Sequence, residues 1–182
     1  MRIYLAAAAA IGMLGLAGVA SAQTVTDPQW TVSAGYGHYS GKEYGTLGAL
    51  TGRVGARMHP NFGVEGEASF GVVSDVVSNT LTKTDIDLKY DVAAYAVGYL
   101  PVTDNFELFA RLGYGTTKLD VERKGVKLDD RAFGGGSSIN YGVGAVYNFT
   151  PNMGVRVDWT RRDMRSSGPN SDVYSLSYAH SF

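Results

Sequence analysis

The chain has 182 residues, a formal net charge of −1 and no cysteine. The near-neutral charge gives no basic footprint for nucleic acid, and the absence of cysteine excludes disulfides as the means of closing an exported fold. After the amino-terminal segment, no stretch approaches the roughly 20 consecutive apolar residues that a membrane-spanning helix needs. The composition fits a single domain that is rich in Gly and Tyr. Its secondary structure must be something other than membrane-spanning helices.

The amino-terminal segment predicts a secretory signal peptide. A short positively charged start is followed by an apolar run of small residues, and Ala20-Ser21-Ala22 forms a small-x-small cleavage site. The apolar run is short for a membrane anchor and has no stop-transfer charges behind it. We therefore expect residues 1–22 to be removed and residues 23–182 to form the mature domain.

Short turns and longer polar connections alternate along the mature chain. The short turns are Pro60-Asn61, Asp104-Asn105 and Pro151-Asn152, each leading to an apolar residue that opens a strand. The longer connections are residues 40–46, 74–85, 120–137 and 162–171. This alternation is typical of outer-membrane barrels, which have tight periplasmic turns and longer outside loops.

Eight segments between these connections predict β-strands, because apolar and polar residues alternate within them. They are residues 29–39, 47–58, 62–73, 86–100, 106–119, 138–149, 154–161 and 172–182. The even count places both termini on the side of the short turns, so the sheet can close on itself. The sequence thus predicts an all-β fold, an eight-stranded antiparallel up-and-down transmembrane β-barrel.

The two faces of these strands differ in chemistry. One face is aliphatic, with aromatic rings near both strand ends, as in the two belts of a spanning barrel. The other face carries five cations and five anions: Arg53, Arg57, Glu65, Glu67, Lys89, Asp91, Glu107, Arg111, Arg156 and Asp158. An Arg or Lys facing lipid costs about 2–4 kcal/mol near the bilayer midplane, so these ten residues are predicted to point inward. In strand 86–100 the assignment is contested, because Tyr95, Val97 and Tyr99 compete with the outward face.

The inward charges allow two interpretations. An eight-stranded barrel is just wide enough for its own side chains, and buried charges must be paired, which favours a structural ion-pair network that fills the lumen. A narrow or gated solute path is the alternative. The charges show no excess of one sign that would select ions, so the structural network is favoured.

The last strand ends on an aromatic residue. Tyr174, Leu176, Tyr178, His180 and Phe182 share one face. A terminal Phe182 with Tyr178 in the same register resembles the carboxy-terminal signal by which outer-membrane barrels are recognised for assembly. Together with Asp104-Asn105-Phe106 and the strand that follows, the mature chain resembles the small OmpA-like, opacity-type, porin-like barrels of Gram-negative bacteria.

This resemblance implies a location and a set of partners. The location is the bacterial outer membrane, and the partners are its lipids, the barrel-assembly machinery and an extracellular partner at the four outer loops, with the protein a monomer. A structural or surface-interaction role is the main hypothesis. A small channel and a lipid A-modifying enzyme remain open, and a soluble lipocalin-like barrel is a more distant alternative.

Enzymes are a rival class because lipid A deacylases and palmitoyltransferases include barrels of this size. The three histidines, His38, His59 and His180, have no His-x-His or His-x₃-His spacing, so no metal site is predicted. We find no His-x-Ser pair on one outward strand face, as a deacylase-like site would require. No catalytic residue and no cofactor are predicted, and the protein is predicted not to be an enzyme.

Overall fold

The computed structural model describes residues 28–41, 45–73, 75–79, 82–123, 126–127, 135–165 and 169–182. Its ten strands are β1 (Gln29–Gly41), β2 (Gly45–His59), β3 (Phe62–Val73), β4 (Asp75–Asn79), β5 (Thr82–Pro101), β6 (Phe106–Arg123), β7 (Val126–Lys127), β8 (Gly136–Thr150), β9 (Met153–Met164) and β10 (Ser171–Ser181). The predicted signal peptide lies outside the described residues. In the part of the chain that the structure describes, no helix is long and apolar enough to cross a membrane.

Eight of these strands form a closed ring. β1 pairs with both β2 and β10, and β5 pairs with both β3 and β6. The other ring contacts join β2 to β3, β6 to β8, β8 to β9 and β9 to β10, all antiparallel. The predicted eight-stranded antiparallel barrel is therefore confirmed, and ring closure satisfies the edge groups that an open sheet would leave unpaired.

The strands extend further toward the long connections than the alternation predicts. β4 lies within predicted connection 74–85 and pairs with β5, while β7 lies within predicted connection 120–137 and pairs with β6. Backbone pairing in a hairpin does not require apolar side chains, so polar sequence there conceals strand structure. β9 likewise continues to Met164, which places Arg162 in a strand rather than in a loop.

The two barrel faces follow the predicted alternation. Leu50, Leu112 and Leu176 are 57, 60 and 57 % exposed on the outer surface, as expected of side chains that face lipid. The structure also decides which face of residues 86–100 points inward, because Tyr95 and Val97 are 3 and 1 % exposed and lie inside the barrel. Their burial accounts for the apolar residues on both faces of β5.

The lumen is layered along the barrel axis. Toward the long connections it is filled by an apolar layer, which consists of Tyr39, Leu47, Ala49, Leu88, Leu119 and Val173. Below this layer lies a set of charged side chains. At the end of the short turns a vestibule of about 580 Å³ opens between residues such as Thr31, Pro60, Tyr99 and Pro151. The barrel is thus filled on the loop side and hollow on the turn side.

Candidate functional site: the charge network of the lumen

Eight buried charges meet in the middle of the lumen. The cations are Arg53, Arg111, Arg156 and Arg162, and the anions are Glu65, Glu67, Asp91 and Asp158, each at most 6 % exposed. We call this set the charge network. Its members come from β2, β3, β5, β6 and β9, so it connects strands around the barrel, and its formal charges cancel.

Arg111 is the hub of the charge network. Its Nη1 donates to Glu65 Oε1 and to Glu67 Oε2, both at 2.9 Å. Its Nη2 donates to Asp158 Oδ1 at 2.7 Å, and its Nε donates to Thr160 Oγ1 at 3.0 Å. One guanidinium therefore contacts three carboxylates on two strands, and the planar five-donor fork of arginine suits such an arrangement.

Arg53 binds the same carboxylates from the opposite wall. Its Nε donates to Glu67 Oε2 at 2.6 Å and its Nη2 to Asp158 Oδ1 at 3.4 Å. Its remaining donors reach Ser177 Oγ at 2.8 Å and Ser175 Oγ at 3.0 Å. The small inward residues of β10 thus complete the hydrogen bonding of a buried cation.

Arg156 closes the network on the turn side. Its guanidinium pairs with Glu65, and its Nε donates to Asp158 Oδ2 at 3.3 Å. The same guanidinium lies 4.2 Å from the centre of the Phe109 ring. Phe109 fits there because Gly144 faces it, since a Cβ on Gly144 would lie 2.4 Å from the ring. A cation over an aromatic face gains further stabilisation where water is excluded.

Arg162 and Asp91 form the loop-side part of the network. Arg162 Nη1 donates to Asp91 Oδ1 at 2.6 Å and its Nη2 to Glu67 Oε1 at 2.8 Å. Tyr39 and Thr117 donate to Asp91 at 3.1 and 3.0 Å. Among the described residues, Arg162 Nε is the buried side-chain atom without a hydrogen-bond partner. Tyr39 also belongs to the apolar layer, so it connects that layer to the charge network.

The structure brings most of the predicted inward charges together, although in two groups. Seven of the ten join the charge network, and Arg57 and Glu107 form a separate ion pair beside the vestibule, with side chains 22 and 14 % exposed. Arg57 also donates from its Nε to the carbonyl oxygen of Pro60 at 3.2 Å and lies over the Tyr99 ring. The vestibule pair is thus open to water where the network is not.

The inward placement of Lys89 is wrong. The β5–β6 register shifts between Leu88 and Tyr90, so Lys89 is an extra residue without a partner on β6. Leu88 occupies the inward position, 4 % exposed, and Lys89 is exposed. Conversely, the network contains Arg162, which the sequence reading assigned to a loop. Arg162 continues the inward parity of Arg156, Asp158 and Thr160, and this continuation was the signal that could have found it.

The outer surface also corrects one expectation. β1 continues through Ser40, so His38 and Ser40 form a His-x-Ser pair on one outward strand face. Asp172 of β10 lies directly opposite Ser40 in the ladder. The prediction that no such pair exists failed because the strand was ended one residue too early.

The predicted assembly residues lie on the outer face at the closing seam. Tyr178 is 46 % and Phe182 65 % exposed. Phe182 N donates to the Trp30 carbonyl oxygen at 3.0 Å, and Trp30 N donates to the Phe182 carbonyl oxygen at 3.3 Å. The last residue is therefore part of the β1–β10 pairing. No group of three or more His, Cys, Asp or Glu side chains that could hold a metal occurs within the described ranges.

The comparisons with known proteins agree with this architecture. The family model of the outer membrane protein beta-barrel domain matches residues 6–182. The chain belongs to this family. It is a transmembrane barrel of the outer membrane of Gram-negative bacteria, as its likeness to OmpA-like barrels implied. No curated protein matches the chain significantly by sequence.

Solved structures of outer-membrane barrels share the fold at low sequence identity. Ail of Yersinia pestis, in complex with the heparin analogue sucrose octasulfate, has a TM-score of 0.60 and 18% identity, over 86% of this chain and 99% of Ail. OprG of Pseudomonas aeruginosa has a TM-score of 0.62 and 10% identity, over 85% and 96%. The neisserial surface protein NspA has a TM-score of 0.55 and 14% identity, over 85% and 97%.

Proposed function

We propose that this family member is a plugged monomeric barrel that serves as a structural element of the outer membrane and contacts partners through its four long connections. The observation that carries the proposal is the charge network, whose eight formal charges cancel and whose side chains are almost fully buried. A lumen filled in this way leaves the connections as the parts available to an extracellular partner.

A channel role is disfavoured by the same contacts. A permeating ion would have to break the contacts of Arg111, Arg53 and Arg162 with their carboxylates. The nitrogen–oxygen distances of these contacts are 2.6 to 3.4 Å. It would also have to cross the apolar layer on the loop side, where Leu47 and Val173 are 1 and 2 % exposed. A neutral network offers neither sign of ion a preferred path.

The first partner to test is a sulfated glycan, because Ail is known in complex with a heparin analogue. Cells that display the full-length protein should bind labelled heparin above the level of cells without it. The matched variant replaces residues 124–134, within the third long connection, by an uncharged Gly-Ser segment of equal length. Heat-modifiable gel migration verifies that the variant barrel is folded.

The outcome separates loop binding from other surface effects. Reduced binding by the folded variant supports a role for the third connection. If replacement of each of the four connections in turn leaves both glycan binding and attachment to host cells unchanged, the surface-interaction role is wrong.

Export by signal cleavage is part of the proposal. We expect the intact mass of protein extracted from outer membranes to correspond to a chain that begins at Gln23, because Ala20-Ser21-Ala22 has small residues at both recognised positions. A mature form that retains Met1 contradicts this expectation.

A further inference from the structure

A serine, a histidine and an aspartate lie together on the outer surface. Ser40 and His38 are two residues apart on the outward face of β1, about 6–7 Å along the strand. Asp172 of β10 is opposite Ser40, and His38 is opposite Tyr174. Cβ atoms directly opposite each other are about 4.5–5.5 Å apart and diagonal ones about 7–8 Å, so the His38 imidazole can lie between the hydroxyl and the carboxylate.

The Asp172 carboxylate is already held in place. Its Oδ1 accepts a hydrogen bond from Trp159 Nε1 at 3.1 Å, and its Oδ2 accepts one from Arg161 Nη1 at 2.6 Å. An ionised carboxylate has about four lone-pair sites, so it retains acceptor capacity for an imidazole N–H. A fixed acid that orients a histidine is the third element of a serine hydrolase triad.

An apolar trough lies on the outer surface and ends at Trp159 and Tyr174, beside these residues in the strand ladder. Its volume is about 860 Å³, and its lining includes Gly98, Ala110, Val143, Trp159 and Tyr174. These five residues are consecutive partners across β5, β6, β8, β9 and β10, and the next partner in the same row is His38. Gly98 has no side chain and Ala110 has only a methyl group, so the surface is depressed at this end of the row. The trough therefore has the form and chemistry of a site for an extended acyl chain.

The triad lies where the apolar surface ends. The outward residues of β10 change from Leu176 to Tyr174 and then Asp172, and Trp159 of β9 is followed on the same face by Arg161. A change from aliphatic through aromatic to charged residues marks the headgroup level of a bilayer. It occurs on the side of the long connections, which in outer-membrane barrels faces the cell exterior. Acyl ester groups of outer-leaflet lipids lie near this depth.

We infer that Ser40, His38 and Asp172 form a serine hydrolase site that cleaves an acyl ester of lipid A, with the released chain held in the trough. The inference departs from the sequence-based prediction that the protein is not an enzyme. It depends only on the outer face, so it is independent of whether the lumen conducts or the connections bind a glycan.

The reaction balances with water as the second reactant. Ser40 Oγ attacks the ester carbonyl carbon while His38 takes the hydroxyl proton, and Arg161 supplies positive charge for the resulting oxyanion. The bond from the carbonyl carbon to the lipid oxygen breaks, and His38 returns the proton to that oxygen. Water then attacks the acyl-Ser40 ester, gives a proton to His38 and releases the fatty acid, and His38 reprotonates Ser40.

The test uses the full-length folded protein in vesicles that contain either lipid A or glycerophospholipid only. Mass spectrometry measures the fatty acid released, and a fluorophosphonate probe, which reacts with activated serines, is mapped by peptide mass. The variants are Ser40→Ala and His38→Asn. The matched control is His180→Asn, which changes an outward histidine at the opposite end of the barrel.

We expect release from lipid A and probe attachment to Ser40 in the unmutated protein and in His180→Asn. Ser40→Ala and His38→Asn should both fall to the level of protein-free vesicles, although heat-modifiable migration shows them folded. No release from lipid A, release only from glycerophospholipid, or release that persists in Ser40→Ala overturns the proposal. Because the probe reports serine activation without a lipid substrate, an unlabelled Ser40 also counts against it.

Discussion

The middle and the turn side of the lumen use the same kinds of charged residue in different surroundings. In the charge network, Arg111 contacts three carboxylates and its side chain is 1 % exposed. At the vestibule, Arg57 contacts one carboxylate, Glu107, and its side chain is 22 % exposed. Water can replace the partner of Arg57 but not those of Arg111, so similar ion pairs should differ strongly in their effect on stability.

The largest expected effect is the loss of a single network cation. Arg111→Met leaves Glu65, Glu67 and Asp158 with less compensation in a dry interior, and such a break costs about 3–5 kcal/mol of unfolding free energy. The matched change at the vestibule, Arg57→Met, should cost about 0–1 kcal/mol, because that pair is partly solvated. Urea unfolding of the barrel in lipid vesicles measures both.

A double change sharpens this comparison. Arg111→Met with Asp158→Asn removes one charge of each sign, so we expect a smaller loss of stability than the sum of the two single losses. Additive losses would mean that the two side chains do not share a dry environment. The pair Arg57→Met and Glu107→Gln serves as the control and should show little coupling.

The next effect concerns the closing seam at the turn side. Phe182→Asp places a charge on the outer face of the last strand, whose terminal residue pairs with Trp30. We expect less folded barrel in the membrane at unchanged synthesis, measured by heat-modifiable gel migration. Ser181→Asp, with the same charge on the opposite face, is the control. Equal folded yield from Phe182→Asp and the unmutated protein would remove Phe182 from its assigned role in assembly.

The smallest effect on stability is expected from cysteine probes, which read water access directly because the chain has no cysteine of its own. Thr31 lines the vestibule, whereas Thr51 is 3 % exposed and hydrogen-bonds Ser69 at 2.8 Å. Thr31→Cys should react with a small water-soluble thiol reagent in the folded barrel, and Thr51→Cys should not. Equal rates would show that water fills both parts of the lumen.

The sequence predicted the barrel because lipid outside and a narrow lumen inside impose alternation on every spanning strand. Leu50 and Leu176 point outward for that reason, and Arg53 and Glu67 point inward. Outside the bilayer this constraint ends, so the pattern gave no sign of β4, and it placed the ends of β1 and β9 too early. Those shortened ends concealed Ser40 and Arg162.

The pairing of the charges was less predictable than their direction. The sequence does not show which anions Arg111 reaches, and the structure pairs it with Glu65, Glu67 and Asp158. Which anion is reached depends on strand stagger, which no single strand encodes. The bulge that exposes Lys89 is a further case, since one unpaired residue in β5 reverses the faces on either side of it.

Single-protein current in a planar lipid bilayer is the most direct test that the charge network and the apolar layer close the lumen. The unmutated protein, inserted as a folded monomer, should give no steady ionic current at either polarity. Arg111→Met tests the same claim by opening the lumen. A break in the charge network should admit water, and brief current openings should then appear. A steady current through the unmutated protein would contradict the closed lumen and would make the barrel a channel.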